Sequence, residues 1–477
     1  MSNKYENGLF IFRRDFRVID NNGLNMANSI CKNIYPIFIF TPEQVTDENK
    51  FKSSNAVQFM IESLQDLSEQ IKKMGDAKGS SSSSPKKLLC FYGDNELIIS
   101  YLIVTLNIQV VCFNVDYSPY AIKREQDIMS LCESKHGVDV KYAHDYYLHT
   151  PGTILNTSGN IYQKFTPFYN ASIKIPVEPP AGLKKIHFAS ASASTKLKHS
   201  ISLDDAMKRF VGNINDEILV NGGRKNALKQ IRLFNASNAS NHYSKTRNEL
   251  SQSTSQLSAY IKFGCISIRE IYQIFRTNHD FIRQLFWRDF YAGILYAFPH
   301  VLGSSMKLNY NKIKWNHNSN WFKKWCDGNT GFPVVDAGMR QLNQTGYMHN
   351  RARLIVMSFL IKTLCLDWRL GEKYFASKLT DYDPASNNGN IQWVMGGGSD
   401  SNPFFRIFNM WRQTEHYDAN CEYIKKWIPE LSQVPVKDIL HWDTEWMKYK
   451  DAGYPKPMVD YSQQKEIVLK LYRNSLF

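Results

Sequence analysis

The chain has 477 residues, of which 43% are hydrophobic and 21% are charged. This composition is typical of a globular protein with two or three domains of ~150 residues, and it excludes a fibrous or disordered chain. Lys and Arg number 58 against 44 Asp and Glu, which gives a formal net charge of +14. Because such an excess attracts polyanions, it favours a nucleic acid or an anionic surface as partner, although a soluble enzyme that is merely basic would show the same excess.

Neither a membrane span nor a secretion signal is predicted. The longest apolar stretch, residues 354–366, contains Lys362 and is shorter than the ~18 uncharged residues that cross a bilayer. The first residues lack a cationic segment followed by an apolar core, so we expect a cytoplasmic or nuclear protein that is not secreted. The eight cysteines form no CxxC pair. Free thiols are therefore expected, and no metal site is predicted.

The first third of the chain alternates short apolar runs with amphipathic helical stretches such as residues 56–74. The predicted strands are Leu9–Phe12, Ile34–Phe40, Leu88–Tyr92 and Val110–Asn114. Strands that alternate with helices form a parallel sheet, whose ligands bind beyond the carboxyl ends of the strands. The segment Gly79–Pro85, GSSSSSP, is predicted to be a flexible surface loop before the third strand.

Residues from 203 onwards have helical periodicity, whereas the pattern from about 150 to 202 is loop-like. The predicted helices include Ser267–Phe275, Phe281–Ala297, Pro333–Asn343, Met348–Leu366 and Gly371–Lys378. The predicted fold class is α/β followed by all-α. A Rossmann-like parallel-sheet domain at 1–149 is followed by a connector at 150–202 and a large helical domain at 203–477. This architecture alone is compatible with many functions.

Two polar segments carry candidate binding groups. TSQLS at 254–258 places hydroxyls and N–H groups at a predicted helix start, where they could hold a pyrophosphate or simply cap the helix. Residues 380–389 include two acids and two amides that could ligate a cation, but the spacing is not that of a calcium loop, and a capped turn would have the same sequence pattern.

Arg353 lies among apolar residues and needs an anionic partner, for which an acid of the Asp381 segment is the candidate.

Several blocks of sequence, in this order and spacing, resemble the photolyase and cryptochrome family. They are FRRDFR at 12–17, LFWRDFY at 285–291, DAGMRQL with MHNR between 336 and 351, DWR with GE between 367 and 372, and the segment 381–393. NNGNIQW at 387–393 and FFRIFNMWRQ at 404–413 are most similar to the class I cyclobutane pyrimidine dimer photolyases. The resemblance covers nearly the whole chain. It implies an α/β antenna domain followed by a helical FAD-binding domain.

The activity implied by this resemblance is the light-driven repair of cyclobutane pyrimidine dimers in ultraviolet-damaged DNA, by a monomer that binds no membrane. In that reaction, excited FADH− gives an electron to a flipped-out dimer, the cyclobutane ring splits and the electron returns. Ring splitting needs no acid–base catalyst. The site therefore requires burial, stacking and polar groups near the pyrimidine carbonyls rather than a nucleophile.

The resemblance also implies sets of site residues. Those expected at the FAD are Tyr243, Thr254, Ser255, Gln256, Leu257, Ser258, Arg353, Asp381, Tyr382, Asp383 and Asn387. Those expected at the DNA are Arg247, Gln284, Trp287, Asn350, Arg351, Trp393 and Gln413. The residues expected to take part in catalysis are Asn387, Gln284, Asn350, Trp287 and Trp393.

Particular roles follow from the same resemblance. Asn387 lies where the family places the residue that faces flavin N5, and its uncharged amide suits a stable anionic FADH−. Trp287 and Trp393 match the aromatic walls that receive the flipped bases, and stacking there offsets part of the cost of flipping. Asp381 and Arg353 match a salt bridge near the flavin.

Two departures from the family pattern bear on the choice of lesion. Gln284 stands where dimer photolyases usually carry Glu and (6-4) photolyases tend to carry Gln. Asn350 and Leu354 stand where (6-4) photolyases place histidines, and neither side chain can transfer a proton at neutral pH. Dimer repair is therefore expected, and (6-4) repair is the less favoured alternative.

A third departure concerns electron supply to the flavin. Family members usually reduce their flavin through three tryptophans, and the distal and middle ones match Trp315 and Trp368. The proximal position is Ile391, whose aliphatic side chain cannot be oxidised by excited flavin. We therefore expect this relay to be broken at its first step, unless Trp411 or a tyrosine takes over.

The family implies a second chromophore in the N-terminal domain, whose identity the sequence leaves open. Residues 116–121 lack the Asn-Glu pair expected for a methenyltetrahydrofolate antenna, which leaves a deazaflavin, another flavin or an empty pocket. A cryptochrome-type blue-light receptor is the main alternative to a repair enzyme. Receptors often carry a long C-terminal extension, whereas this chain ends at Phe477, which favours the enzyme.

Overall fold

The computed structural model describes residues 4–75, 86–189 and 197–476. The predicted loop Gly79–Pro85 lies outside these residues. Within the described ranges, a parallel sheet near the N-terminus is followed by a largely helical region. The strands are β1 Tyr5–Ile11, β2 Cys31–Phe40, β3 Leu89–Tyr92, β4 Val110–Asn114 and β5 Asp139–Ala143.

The helical segments divide into longer and shorter ones. Described α-helices of at least eight residues are α1 Asn22–Ile30, α2 Ser54–Gly75, α3 Asn95–Thr105, α4 Pro119–Ser130, α5 Phe165–Ser172, α6 Leu203–Phe210, α7 Arg224–Asn235, α8 His279–Ala297, α9 Ser319–Asp327, α10 Pro333–Thr345, α11 Asn350–Lys362, α12 Trp368–Lys378, α13 Pro384–Met395, α14 Met410–Tyr417 and α15 Tyr461–Leu476. Shorter α-helices include Pro42–Val45, Asn238–Asn241, Tyr243–Thr246, Ser258–Lys262, Ile268–Ile274, Glu422–Trp427, Val436–Leu440 and Trp442–Glu445.

The sheet has the order β3-β2-β1-β4-β5, and all neighbouring strands are parallel. Side chains alternate between its two faces, so Leu9 and Ile11 join one apolar core while Phe10 and Phe12 join the other. The second core continues into the helical region, where it includes Phe290 of α8. Because the strand order reverses between β1 and β4, the segment after β1 lies at the sheet's switch point, where such folds bind ligands or partners.

Three differences between the structure and the prediction have a clear physical reason. Strand β5 was missed because its sequence DVKYA is polar, as befits an edge strand. The predicted loop at 150–202 contains α5, which forms because Phe165 and Phe168 are buried against Phe290, at ring centroid distances of 5.8 and 5.5 Å. The predicted helix Met348–Leu366 is shorter, Asn350–Lys362, and Cys365 just beyond it has φ of +56°.

Two findings bear on the protein's surroundings. No described helix has the length and apolar content needed to pass through a bilayer. In the described part of the chain, no group of three or more His, Cys, Asp or Glu side chains is placed to hold a metal ion. All eight cysteines are buried.

Candidate active site

Arg353 and Asp381 form an ion pair at the centre of the helical region. Arg353 Nη2 donates to Asp381 Oδ2 at 2.9 Å, and Ser258 Oγ donates to the same oxygen at 2.5 Å. The predicted acidic partner of Arg353 is thus confirmed. Burial alone would raise the pKa of Asp381, but the Arg353 guanidinium, the Ser258 hydroxyl and the charge of Lys262 together bring the carboxyl pKa below its usual value. Asp381 Oδ1 is buried without a partner, which leaves a charged acceptor available to a polar ligand.

A second ion pair joins the helical region to the sheet. Asp383 is the N-cap of α13, where its Oδ1 accepts the N–H of Ser386 at 3.0 Å. Its Oδ2 accepts from Arg14 Nη2 at 2.8 Å, and Arg14 Nη1 lies 3.0 Å from Asp116 Oδ2 just after β4. Burial tends to raise the pKa of Asp383, but Arg14 and Arg288 bring it below its usual value. The segment 380–389 is therefore a capped helix start in which arginine is the counter-ion.

Asn387 lies one turn into α13 and is half-buried. Its Nδ2 donates to Asp383 O at 3.2 Å, and its side-chain oxygen remains an acceptor. The next residue, Asn388, points elsewhere because consecutive helical residues are about 100° apart. It is buried and donates to Glu372 Oε2 at 3.4 Å. Burial raises the pKa of Glu372 to about 7, although hydrogen bonds from Asn388 and Tyr382 act against the shift.

The segment 254–258 lies next to the Arg353–Asp381 pair. Thr254 Oγ1 and the Tyr347 hydroxyl are hydrogen-bonded at 3.0 Å, while the Arg353 guanidinium lies 5.4 Å from the centre of the Tyr347 ring. Gln256 has φ of +52°, and the chain turns there before the helix that begins at Ser258. The structure thus brings the hydroxyl-rich segment, predicted from sequence as a phosphate site, beside the buried acid.

The remaining residues of this set support the site from its edges. Tyr243 packs edge-on against Phe281 with ring centroids 5.4 Å apart, and burial raises the pKa of its hydroxyl to about 12. The backbone oxygen of Ser255 accepts from Gln230 Nε2 at 3.0 Å. Leu257 is fully buried in the core. These contacts fix the backbone on which the hydroxyl groups stand.

Trp287 and Trp393 lie near one crossing of two helices. At that crossing α8 and α13 come so close that a Cβ atom on Gly389 would stand 2.1 Å from Tyr291 Cδ1. Trp287 is one turn from Tyr291 on α8, and Trp393 is one turn from Gly389 on α13, so each is about 6 Å along its helix from the contact. Both indoles are half-buried. Phe165 stacks on Trp287 with centroids 3.7 Å apart and ring planes 6° apart, so one face of that indole is already covered.

The two amide residues expected at the lesion are less tightly placed. Gln284 is half-buried, three residues before Trp287 on the same face of α8, and its Nε2 donates to Asp280 O at 3.1 Å. Asn350 is exposed at the start of α11. Among the described residues, no hydrogen bond or ring contact joins Asn350 to Gln284 or to Trp287. The structure therefore does not by itself bring these groups together.

The residues expected at the DNA strand share an unusual feature. Arg247 Nε, Arg351 Nε and Gln413 Oε1 are all buried without a hydrogen-bond partner. Burial lowers the pKa of Arg351, and the positive charges of Arg247 and Arg406 lower it further, which outweighs the nearby Tyr417 hydroxyl. Clustered guanidinium groups with unused donors are suited to an anionic ligand.

A basic pocket adjoins this cluster. It has a volume of about 400 Å³. Its lining residues are Arg406, Ile407, Phe408, Asn409, Arg412, Gln413, Tyr461 and Lys465. Arg406, Arg412 and Lys465 are exposed. Sequence reasoning did not single out these three as site residues. The available signals were the net positive charge and the FFRIFNMWRQ block, but nothing in the sequence placed Lys465 beside Arg406.

The residues of the expected electron relay lie in one core. Trp368 is fully buried, Ile391 is 3% exposed and Trp315 is half-buried. Trp315 lies edge-on to Tyr472, with ring centroids 6.4 Å apart. Trp411, the candidate substitute, stacks on Phe332 with centroids 5.1 Å apart. The aliphatic side chain at 391 is thus interior, and its effect on photoreduction stays a prediction.

Known proteins similar to this chain match it over almost its whole length. Residues 9–183 match a family model described as DNA photolyase, and residues 281–474 match the FAD binding domain of DNA photolyase. A deoxyribodipyrimidine photo-lyase from Halobacterium salinarum is 32% identical over 494 residues, which cover 98% of this chain and 99% of that protein. The chain belongs to the DNA photolyase family.

Solved structures agree with this assignment. An archaeal photolyase from Sulfolobus tokodaii, whose crystal structure holds two FAD molecules, has a TM-score of 0.86 and 36% identity, covering 98% of this chain and 100% of that one. A cryptochrome from Synechocystis has a TM-score of 0.86 and 26% identity, covering 99% and 100%. The predicted fold class, an α/β domain followed by a helical FAD-binding domain, is confirmed.

The residues of the site fit an FAD cofactor chemically. The unpartnered buried oxygen of Asp381 can accept a hydrogen bond from a flavin ring or ribose group. The Thr254 hydroxyl can donate to a phosphate oxygen when the Tyr347 hydroxyl donates to it, and Arg353 supplies a fixed positive charge nearby. The helical region thus carries donors and acceptors that an FAD molecule can engage.

Proposed function

We propose that this protein repairs cyclobutane pyrimidine dimers in ultraviolet-damaged DNA, using light and reduced FAD. One observation carries this proposal. Two half-buried tryptophans, Trp287 and Trp393, stand within one helical turn of the close α8–α13 contact, and Asn387 lies on the same part of α13. Such a pair of indoles suits two flat bases that must stack beside a flavin.

The cofactor-side residues hold and orient the FAD. When bound in its reduced form and excited by light, FAD supplies the electron that splits the cyclobutane ring. Asp381 and Arg353 hold a buried negative and a positive group in fixed positions, and the 254–258 segment offers hydroxyls to the phosphates. The Asn387 carbonyl oxygen offers an uncharged acceptor toward flavin N5, since its amide nitrogen is engaged by Asp383 O.

The DNA-side residues receive the lesion and its phosphates. Trp287 and Trp393 stack on the flipped dimer, which offsets part of the few kcal/mol that flipping costs. The amides of Gln284 and Asn350 pair with pyrimidine carbonyl edges. Phosphates accept from the unpartnered Nε donors of Arg247 and Arg351 and lie toward the basic pocket, which agrees with the formal net charge of +14.

Domain roles and surroundings belong to the same proposal. Residues 1–149 form the antenna domain, 150–202 the connector and 203–477 the catalytic domain. A second chromophore in the antenna domain is supported by the two FAD molecules of the Sulfolobus tokodaii relative. The protein acts as a monomer on damaged DNA, in the cytoplasm or the nucleus.

A cryptochrome-type receptor is the second candidate, supported by the match to the Synechocystis cryptochrome. The decisive experiment uses ultraviolet-irradiated oligothymidine, mixed with FAD-loaded protein and a reductant. Under blue light we expect the absorbance of intact thymine to return, and in the dark we expect no change. Binding of the irradiated strand without repair under light would refute the enzyme and leave the receptor. A parallel reaction on a (6-4) lesion should show no repair, because neither Asn350 nor Leu354 can transfer a proton.

A further inference from the structure

Lys362 is a buried cation that none of the roles above uses. It ends α11, its residue is 1% exposed, and its Nζ donates to the backbone oxygen of Arg406 at 3.1 Å. In the described ranges, no carboxylate lies within ion-pair distance of this ammonium. The helices packed against α11 are α10, α12, α13 and α14. Of the described charged groups, Arg406 is the one that shifts the pKa of Lys362 beyond the effect of burial, and Arg406 is itself positive.

The lysine lies directly behind the wall of the basic pocket. Arg406, whose carbonyl it contacts, lines that pocket together with Arg412, Gln413 and Lys465. No acidic residue is among the lining residues. Two positive groups, one buried and one exposed, therefore lie close together, and no described carboxylate forms an ion pair with either of them or lines the pocket. A negative ligand in the pocket would remove this imbalance.

We propose that Lys362 is a proton-linked positioning residue for nucleic-acid binding: phosphate in the basic pocket keeps its buried ammonium charged, and the charged ammonium holds the Arg406 segment in place. This inference rests on the proposed function, in which the phosphates of damaged DNA occupy the pocket. Lys362 does not touch the DNA. It acts through the Arg406 backbone, because a protonated amine is the stronger hydrogen-bond donor to the carbonyl.

The direction of the pH effect follows from the two states. In the free protein, burial and then Arg406 lower the pKa of Lys362 to about 7. A bound phosphate stabilises the ammonium and raises this pKa, so the complex holds a proton that the free protein loses above neutral pH. Affinity for DNA should therefore fall as pH rises from about 7, by up to tenfold per unit, until the pKa of the complex is reached.

The test measures how the FAD-loaded protein binds irradiated oligothymidine between about pH 6 and about pH 9, at constant salt. Wild type should lose affinity across this range, whereas Lys362→Met should give the flatter profile. Lys362→Arg, which stays charged, should retain binding at the alkaline end. Lys373→Met is the matched control, because Lys373 is an exposed lysine on the neighbouring helix α12, and it should leave the shape of the profile unchanged.

Calorimetry provides a second readout that a purely structural lysine would not change. Binding measured near pH 7.5 in two buffers of different ionisation enthalpy should show proton uptake by wild type and less uptake by Lys362→Arg. Equal pH profiles and equal proton uptake in wild type and Lys362→Arg, with DNA still bound, would overturn the role of Lys362 and leave the repair function standing. Loss of DNA binding at every pH in wild type would instead overturn the proposed function. If Lys362→Met fails to fold, wild type and Lys362→Arg still decide the question.

Discussion

Replacing Arg14 by methionine should destabilise the folded protein by about 3 to 5 kcal/mol, the usual cost of breaking a buried ion pair by removing one partner. Its guanidinium is shared between Asp116, beyond β4, and Asp383, which caps α13, at 3.0 and 2.8 Å. The side chains of the three residues are 19%, 10% and 11% exposed, so solvent can do little to replace the lost charge. Arg14 Nε also donates to Lys262 O at 3.1 Å, and that carbonyl would lose its donor too.

A double-mutant cycle shows whether Arg14 acts through Asp383. Asp383→Asn keeps the helix cap but removes the charge that needs Arg14. The double variant should therefore cost less than the sum of the single variants, with a coupling of about 1 to 3 kcal/mol. Urea unfolding of each FAD-loaded variant measures these energies, and bound flavin absorbance reports whether the α13 start remains intact. Additivity within about 0.5 kcal/mol, or an Arg14→Met cost below about 1 kcal/mol, would refute the reasoning.

Three further outcomes follow from single side chains. Burial raises the pKa of Glu372 from 4.5 to about 7. Between pH 4.5 and about pH 7 the folded protein therefore retains a proton that the unfolded chain releases. The contribution of Glu372 to the free energy of unfolding should fall by up to about 3 kcal/mol as the pH rises through this range. Urea unfolding at several pH values should show a fall that is smaller by this amount in Glu372→Gln, because Asp289 and Asp418 also have raised pKa values and keep their own part of it; equal falls in the two proteins would contradict the prediction. Trp393→Ala should weaken binding of irradiated oligothymidine by about 1 to 3 kcal/mol, whereas Trp393→Phe should retain most of the binding energy, and titrations can measure both affinities. Unchanged affinity in the alanine variant would count against a stacking role for Trp393. Trp368→Phe should leave the rate of flavin photoreduction unchanged, because Ile391 interrupts the relay, and rapid photoreduction that this variant abolishes would show an intact relay.

Local sequence predicted the buried elements well and the polar ones poorly. Strand β4 has the bounds expected for it, because Val110–Asn114 is buried along its whole length and reads as a continuous apolar run. Strand β5 lies at the edge of the sheet and carries Asp139 and Lys141, so its pattern lacked that signal. Helix α5 was missed because its stability comes from contacts with α8, which lie far away in the sequence.

At the candidate site, too, local sequence predicted some contacts and missed those between residues far apart in the chain. The partner of Arg353 could be anticipated, because a buried cation requires an anion and Asp381 lies in a segment that carries two acids. The partner of Arg14 could not, since 369 residues separate it from Asp383. The basic pocket likewise joins Arg406 to Lys465 on α15, and no periodicity or spacing links those two positions.

The glycine at 389 has a consequence for the spacing of the two helices that carry Trp287 and Trp393. Tyr291 occupies the volume that any larger residue would need, so the separation of the two helix axes is set by the absence of a single methyl group. An alanine there would force the axes apart without altering a charge or a hydrogen-bonding side chain. Position 389 therefore controls the spacing of the helices that carry Trp287 and Trp393 while leaving both indoles in place.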